Sequence, residues 1–332
     1  MEVTMEEGTM LEKATSHGPR AHLIRQAAVD IGTNSIKLLV ADVRGAQIFP
    51  VAERSEQTRL GQGFYETSRL QPHAIQMTAE VVARFVKEAR ELGSSPPRLF
   101  ATSAARDAVN ASDLLDAVRA ACDLTPEILS GDQEADWVFR GVATDPRFGN
   151  LPLLILDVGG GSTEFILGQG QTRFHQNSYP LGTVRLLERL RLKDPPGREA
   201  LEGCRAFLRT FFAEQIIADL RPALARVDRE AVRLIGTGGT ATILARIRAG
   251  LAEFDREKIE NVSLQSQEIR GETERQWAMT LDERKAIPGM PSKRADVILT
   301  GVAIYEAVME VLQFREFQVS TRGLRYGAVL AN

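Results

Sequence analysis

LLILDVGGGSTEFILG, residues 153–168, decides the fold. An apolar strand runs into Asp157, then Gly159, Gly160 and Gly161, then Ser162, Thr163 and Glu164, and a second apolar run ends at Gly168. A buried strand followed by glycines usually marks a nucleotide site, but in dinucleotide and P-loop sites a helix follows the glycines. Here Phe165, Ile166 and Leu167 return to a strand pattern. The spacing therefore predicts a hairpin with a bare backbone tip and a carboxylate on each side.

The same device occurs earlier in the chain. DIGTNS (30–35) lies between the strands AAVDI (27–31) and IKLLVADV (36–43), so D-x-G-x-x-S between two strands appears twice. That is an internal duplication. It predicts two α/β halves, 26–142 and 143–332, whose hairpins face each other across a cleft. Residues 1–25 are polar and read as a loose tail.

Around the hairpins, a strand is expected at 47–53, and residues 73–92 place Ile75, Val82, Phe85, Val86, Ala89 and Leu92 on one helical face. RLFAT (98–102) reads as a strand, 103–121 as a loop and helix, PEIL (126–129) as strand-like, and 132–143 as a helix. Residues 199–225 read as one long amphipathic helix and 231–247 as strand, glycine turn and helix. Residues 292–312 read as helical, and the chain closes with strand FQVS and RGLRYGAVL.

Composition narrows the function classes. With 43% apolar and 26% charged residues in 332, the chain can bury a large core and needs no unusual class. A net charge of −3 argues against a general binder of nucleic acid or membrane surfaces. Cys122 and Cys204 lie in helical apolar patterns and read as buried thiols. His17, His22, His73 and His175 are scattered without ligand spacing, which argues against a zinc site or a histidine triad. No run reaches membrane-spanning length and no signal peptide is visible, so a cytoplasmic location is expected.

The hairpin tips suit a phosphate chain, whose many charged oxygens need N–H donors at close approach. Candidate phosphate-binding residues are Gly32, Thr33, Asn34 and Ser35, together with Gly159, Gly160, Gly161, Ser162 and Thr163. A third element, GTGGTATIL (236–244), is not GxGxxG, but Gly238, Gly239 and Thr240 open a helix whose N-terminus suits an anion. Asp30, Asp157 and Glu164 are candidate magnesium-facing carboxylates, since magnesium bridges carboxylates to substrate phosphates. Asp157 alternatively caps its own turn, and Glu164 alternatively points to solvent. Arg106 suits either a phosphate clamp or a pair with Asp107 or Asp113. Ser130 and Gln133 form the pattern of a capping box, leaving Glu134 in a first helical turn, where an acid favours the helix dipole.

Taken together, AAVDIGTNSIKLLVADV, ATSAARDAVNASDLL, ILSGDQEA, LILDVGGGSTEFILG, YPLGTVRL, LIGTGGTATILA, RADVILTGVAIYEAVM and VSTRGLRYG resemble, in that order, the exopolyphosphatase and guanosine pentaphosphate phosphohydrolase (Ppx/GppA) family. The resemblance covers about residues 26–330. It implies two domains of the actin-like, Hsp70-like (ribonuclease H-like) ATPase fold flanking a cleft. It also implies that Glu134 is the catalytic glutamate activating water, that Arg106 is the family's arginine, and that the three glycine loops hold phosphate and Mg2+. The expected substrate is inorganic polyphosphate, with guanosine pentaphosphate as the alternative, and a homodimer is the expected assembly. Some members carry a further C-terminal helical region related to HD-domain phosphohydrolases; the present sequence shows no counterpart to it. Other readings are a small-molecule kinase of the same superfold and a non-catalytic phosphate-chain sensor.

Overall fold

The two glycine hairpins occupy equivalent places in two sheets that share one strand order. The computed structural model describes residues 23–331. The first sheet contains β1 (Ile24–Ile31), β2 (Ile36–Arg44), β3 (Gln47–Glu56), β4 (Arg98–Ala101) and β5 (Glu127–Ile128), in the order β3-β2-β1-β4-β5. β1 pairs antiparallel with β2 and parallel with β4. The second contains β6 (Pro152–Val158), β7 (Thr163–Gln169), β8 (Thr172–Tyr179), β9 (Arg233–Thr237), β10 (Ser263–Gln265) and β11 (Glu316–Val319). Its order is β10-β11-β9-β6-β7-β8, so β8-β7-β6-β9-β11 repeats the first sheet and β10 adds an antiparallel edge. Asp30 pairs with Lys37 across β1 and β2, and Asp157 pairs with Glu164 across β6 and β7. The duplication read from two short motifs is thus a duplication of whole sheets.

Helices α1 (Phe64–Thr67), α2 (Pro72–Glu91), α3 (Ser103–Asp107), α4 (Ala111–Cys122) and α5 (Gly131–Ala143) belong to the first part of the chain. The second part contributes α6 (Thr183–Leu190), α7 (Gly197–Phe211), α8 (Ala218–Leu224), α9 (Gly238–Ala249), α10 (Arg256–Glu260), α11 (Ser266–Ala278), α12 (Leu281–Lys285), α13 (Ile298–Val311) and α14 (Leu324–Leu330).

The central strands are apolar on both faces because both faces are covered. Val29 and Leu38 pack with Val82 and Phe85 of α2 and Leu114 of α4. The alternate residues Ala28 and Leu39 face a core shared with Val138 of α5, Ile155 and Ile166 of the second sheet, and Val329 of α14. The far face of the second sheet, with Leu154, Leu156 and Phe165, is covered by Phe212, Tyr305 and neighbouring helices. Each of these fully buried large side chains contributes about 1.5–3 kcal/mol relative to exposure.

α5 and α14 cross closely between the sheets. A Cβ added at Gly141 would overlap the Gly323 carbonyl, and one at Gly327 would overlap the Trp137 carbonyl. Glycine at these two positions is what lets the last helix return onto the first sheet.

Several local expectations change. The helix expected at 199–225 is interrupted by a π-helical turn at Phe212–Ile217, which separates α7 from α8. Within 292–312 only a 3-10 turn at Ser292–Arg294 and α13 are helical. β8 and β10 carry too many polar residues to read as strands, and pairing with neighbours makes them so. β1 begins at Ile24, so the last residues of the expected tail are strand, while residues 1–22 lie outside the described residues. Cys204 is buried and Cys122 half-buried, and both are free thiols. Among the described residues no helix is long and apolar enough to cross a membrane.

Candidate active site

Both hairpins close by the same hydrogen bond. Gly32 N donates to Ser35 O at 3.1 Å, and Gly159 N donates to Ser162 O at 3.0 Å. Within each turn the next amides, of Thr33, Asn34 and Ser35 and of Gly160, Gly161 and Ser162, find no protein acceptor among the described residues. The Gly159 and Gly160 carbonyls are taken instead by the amides of Thr183, Val184 and Arg185, which open α6. The tip therefore has engaged oxygens and free N–H groups, as an anion nest requires.

The two tips meet. A Cβ on Gly160 would come within 2.9 Å of Thr33 Cβ, and one on Gly161 within 2.5 Å of Ser103 Oγ, so side chains there would push the hairpins apart. The third loop completes the ring. Gly238 has φ of 78°, and a Cβ there would overlap the Asp157 carboxylate. α9 starts at Gly238 with no side-chain cap, leaving its first amides free beside Asp157.

These elements line a cavity of about 730 Å3, within the usual range for small-ligand sites. Gly32, Thr33, Asn34, Ser35, Gly159, Gly160, Gly161, Ser162, Gly238, Gly239 and Thr240 all face it, as do Asp30, Asp157, Glu164 and Glu134. The Asn34 Nδ2 donor is buried and unpartnered, while its Oδ1 accepts from Gln57 Nε2.

Glu134 is the central group. The capping box read from the sequence is present, with Ser130 Oγ accepting from Gln133 N and Gln133 Oε1 accepting from Ser130 N. That box fixes the start of α5 and aims Glu134, in the first turn, into the cavity. Glu134 is buried, and its Oε2 accepts from Arg106 Nη1 at 3.0 Å. Arg106 Nη1 also donates to Leu129 O at 3.0 Å. Burial pushes the Glu134 carboxyl up to about 7; Arg106 opposes the rise, and the Asp30 and Asp157 charges add to it. A carboxyl poised near neutrality is suited to accept a proton.

The other carboxylates share this environment. Burial pushes Asp157 up to about 6 against the attraction of Lys37, and raises Asp30 against Lys37 and Arg325. Asp30 Oδ1 is buried without a hydrogen-bond partner. Glu164 is buried rather than solvent-facing, its Oε1 accepting from Ser162 Oγ at 2.8 Å and Ser178 Oγ at 2.7 Å. Among the described residues no three acidic, histidine or cysteine groups converge into a ready-made cage. The oxygen-only donor set, with an orphaned Asp30 oxygen, still fits magnesium, which completes its shell with waters and substrate phosphates.

Two expected residues act differently. Thr163 does not line the cavity: it is fully buried and its hydroxyl donates to Leu181 O, because β7 alternation turns it away. Arg106 is not among the cavity-lining residues; its closest carboxylate partner is Glu134, with Asp107 at 3.9 Å, and no bond to Asp113 forms. The Thr240 hydroxyl donates to Val158 O, so only its backbone amide is free for a ligand.

Several cavity-lining cations were missed, among them Lys37, Arg294 and Arg325. Lys37 lines the cavity between Asp30 and Asp157, and its signal was a lysine inside an apolar strand, at the place where the second hairpin has Glu164. Arg294 reaches across to donate to Ser35 Oγ at 2.7 Å, and Arg325 donates to Leu38 O and Glu53. Both lie in stretches that carry the family resemblance, RADVILTGVAIYEAVM and VSTRGLRYG, but no local pattern ties them to the site, because each approaches from a distant segment.

The comparisons agree with this geometry. A model of the Ppx/GppA phosphatase family matches residues 39–332. Exopolyphosphatase 2 of Mycobacterium tuberculosis is 33% identical over 306 residues, covering 88% of this chain and 92% of that protein. Among solved structures, the PPX-GPPA enzyme of Aquifex aeolicus superposes with a TM-score of 0.75 at 29% identity, covering 94% of this chain and all of that one. An exopolyphosphatase from Cytophaga hutchinsonii gives a TM-score of 0.80 at 26% identity, covering 91% and 96%. With two α/β sheets of matching strand order lining one cleft, this chain belongs to the Ppx/GppA phosphatase family.

Proposed function

We propose that this protein is an exopolyphosphatase, releasing phosphate from the end of inorganic polyphosphate. The observation that carries the reading is Glu134, a buried carboxyl poised near neutrality beside Arg106 and facing a ring of free backbone amides. That relatives bear the name exopolyphosphatase supports reading polyphosphate as the substrate, with guanosine pentaphosphate as the alternative.

In this reading the amides of the two hairpins and of α9 hold the oxygens of the terminal phosphoryl group. Glu134 orients a water and takes its proton as the water oxygen bonds to phosphorus. The bridging P–O bond breaks, and the shortened chain leaves with the bonding pair. Magnesium, held by Asp30 and Asp157, would supply Lewis-acid neutralisation of the phosphoryl charge. Glu164, fixed by two serine hydroxyls, supports the second hairpin and adds negative charge beside Asp157.

The test compares phosphate release from polyphosphates of several lengths with release from guanosine pentaphosphate, each with and without magnesium. Glu134→Gln should lower turnover by roughly 10²–10⁴-fold while retaining substrate binding. Absence of release from both substrates refutes the reading, and so does full activity of Glu134→Gln. Preferential release from guanosine pentaphosphate would reassign the substrate.

A further inference from the structure

The second half of the molecule reaches the Glu134 pair through one side chain that the chemistry above leaves unassigned. Arg185 lies in the first turn of α6, within YPLGTVRL. Its Nε donates to Gly161 O at 2.8 Å, at the tip of the second hairpin. Its Nη2 donates to Asp107 Oδ2 at 2.7 Å, and its guanidinium lies 4.3 Å from the Tyr65 ring centroid. α6 itself is anchored to the second half, where Thr300 Oγ donates to Thr183 O at 2.7 Å. Asp107 belongs to the first half, at the end of α3, immediately after Arg106.

Asp107 thus stands between two arginines. Among the described residues, Arg106 and Arg185 are the cations within 4 Å of it. The arginine from across the cleft holds it closely, at 2.7 Å, while its own neighbour stays 3.9 Å away and bonds Glu134 at 3.0 Å instead. Asp107 faces Arg106 Nε and Glu134 accepts from its Nη1, so the two carboxylates pull one guanidinium in different directions and the less satisfied one attracts it more strongly.

We propose that Arg185 is a positioning residue: by occupying Asp107 from the opposite half, it leaves Arg106 free to hold Glu134. The catalytic pair is therefore set when the two halves are together, and the glycine tip that cradles phosphate is tied to the same arginine. In the absence of this contact Asp107 draws Arg106 toward itself and Glu134 loses its cation. The inference rests on the role given to Glu134 above.

The experiment removes the contact and then removes the competitor. Arg185→Gln, which still has a donor for the Gly161 carbonyl, should lower kcat on polyphosphate by roughly 10- to 100-fold, the scale of one lost charge-assisted hydrogen bond. KM should stay within about threefold, because the phosphate nests are unchanged. Adding Asp107→Asn removes the rival carboxylate and should restore most of kcat. Arg185→Lys, which keeps a charge for Asp107, should retain more activity than Arg185→Gln. A merely structural role for Arg185 would not be rescued by a change at Asp107. Unchanged kcat in Arg185→Gln overturns the proposal, as does a double variant as slow as the single one. Wild-type enzyme inactive on both substrates refutes the functional reading itself; active wild type with an unrescued double variant refutes only the positioning role.

Discussion

Replacing Glu134 by glutamine should make the protein more stable while making it inactive, and the gain should depend on pH. Burial raises the Glu134 carboxyl from 4.5 to about 7. The folded state therefore binds this proton more tightly than the unfolded chain does. The stabilisation is complete below about pH 4.5 and is lost as the pH rises from there through 7. A shift of that size, at 1.36 kcal/mol per unit, corresponds to about 3 kcal/mol. The glutamine amide would be neutral at every pH and close in shape to the protonated acid, with Arg106 present in both proteins. The variant should match wild type near pH 4.5–5 and exceed it by about 3 kcal/mol above pH 7.5. For a chain of this size that is a rise in Tm of roughly 5 °C. The assay is thermal or denaturant unfolding of both proteins from pH 4.5 to 8.5 in chelator-treated buffer. A difference that does not grow with pH, or a variant less stable than wild type at pH 8, would refute the argument that a buried carboxylate is held there at a cost.

Three further outcomes follow from the same geometry. Arg106→Met removes the charge that opposes the Glu134 shift, so the acid limb of kcat/KM should move to higher pH; an unmoved limb would mean that Glu134 is not the titrating base. Gly238→Ala places a methyl on Asp157 and a side chain at φ 78°, which should cost about 1–2 kcal/mol in backbone strain alone and sharply reduce activity, as read by denaturation and phosphate release. Gly327→Ala, at a residue that does not line the cavity, should destabilise by roughly 1–3 kcal/mol through the α5–α14 crossing, and an unchanged denaturation midpoint would contradict that crossing.

Much of the fold was legible because its signals are local. An aspartate ending an apolar strand, a glycine turn and a second apolar run specify a hairpin whatever surrounds it, and two copies specify a duplicated architecture. The capping box that begins α5 is equally local and is present as read. β8 was not legible, since its polar residues become a strand only by pairing with β7. The π-helical turn leaves only a faint signal: its buried residues Cys204, Leu208, Phe212, Ile216 and Leu220 recur every fourth residue, slightly wider than the α-helical period of about 3.6.

At the candidate site the division is the same. Sequence alone marked which backbone segments can hold an anion, because glycine and the turn around it are properties of a few consecutive residues. It also marked Asp30, Asp157 and Glu164 as carboxylates at strand ends. Their surroundings came only with tertiary structure: Lys37 set between Asp30 and Asp157, Arg294 and Arg325 brought in from the far end of the chain, and Thr163 turned away. The decisive case is Glu134, which in sequence is an ordinary first-turn acid at a helix N-terminus. It becomes a carboxyl poised near neutrality because folding removes its water and brings Asp30, Asp157 and Arg106 around it, and desolvation and charge proximity act through space rather than along the chain.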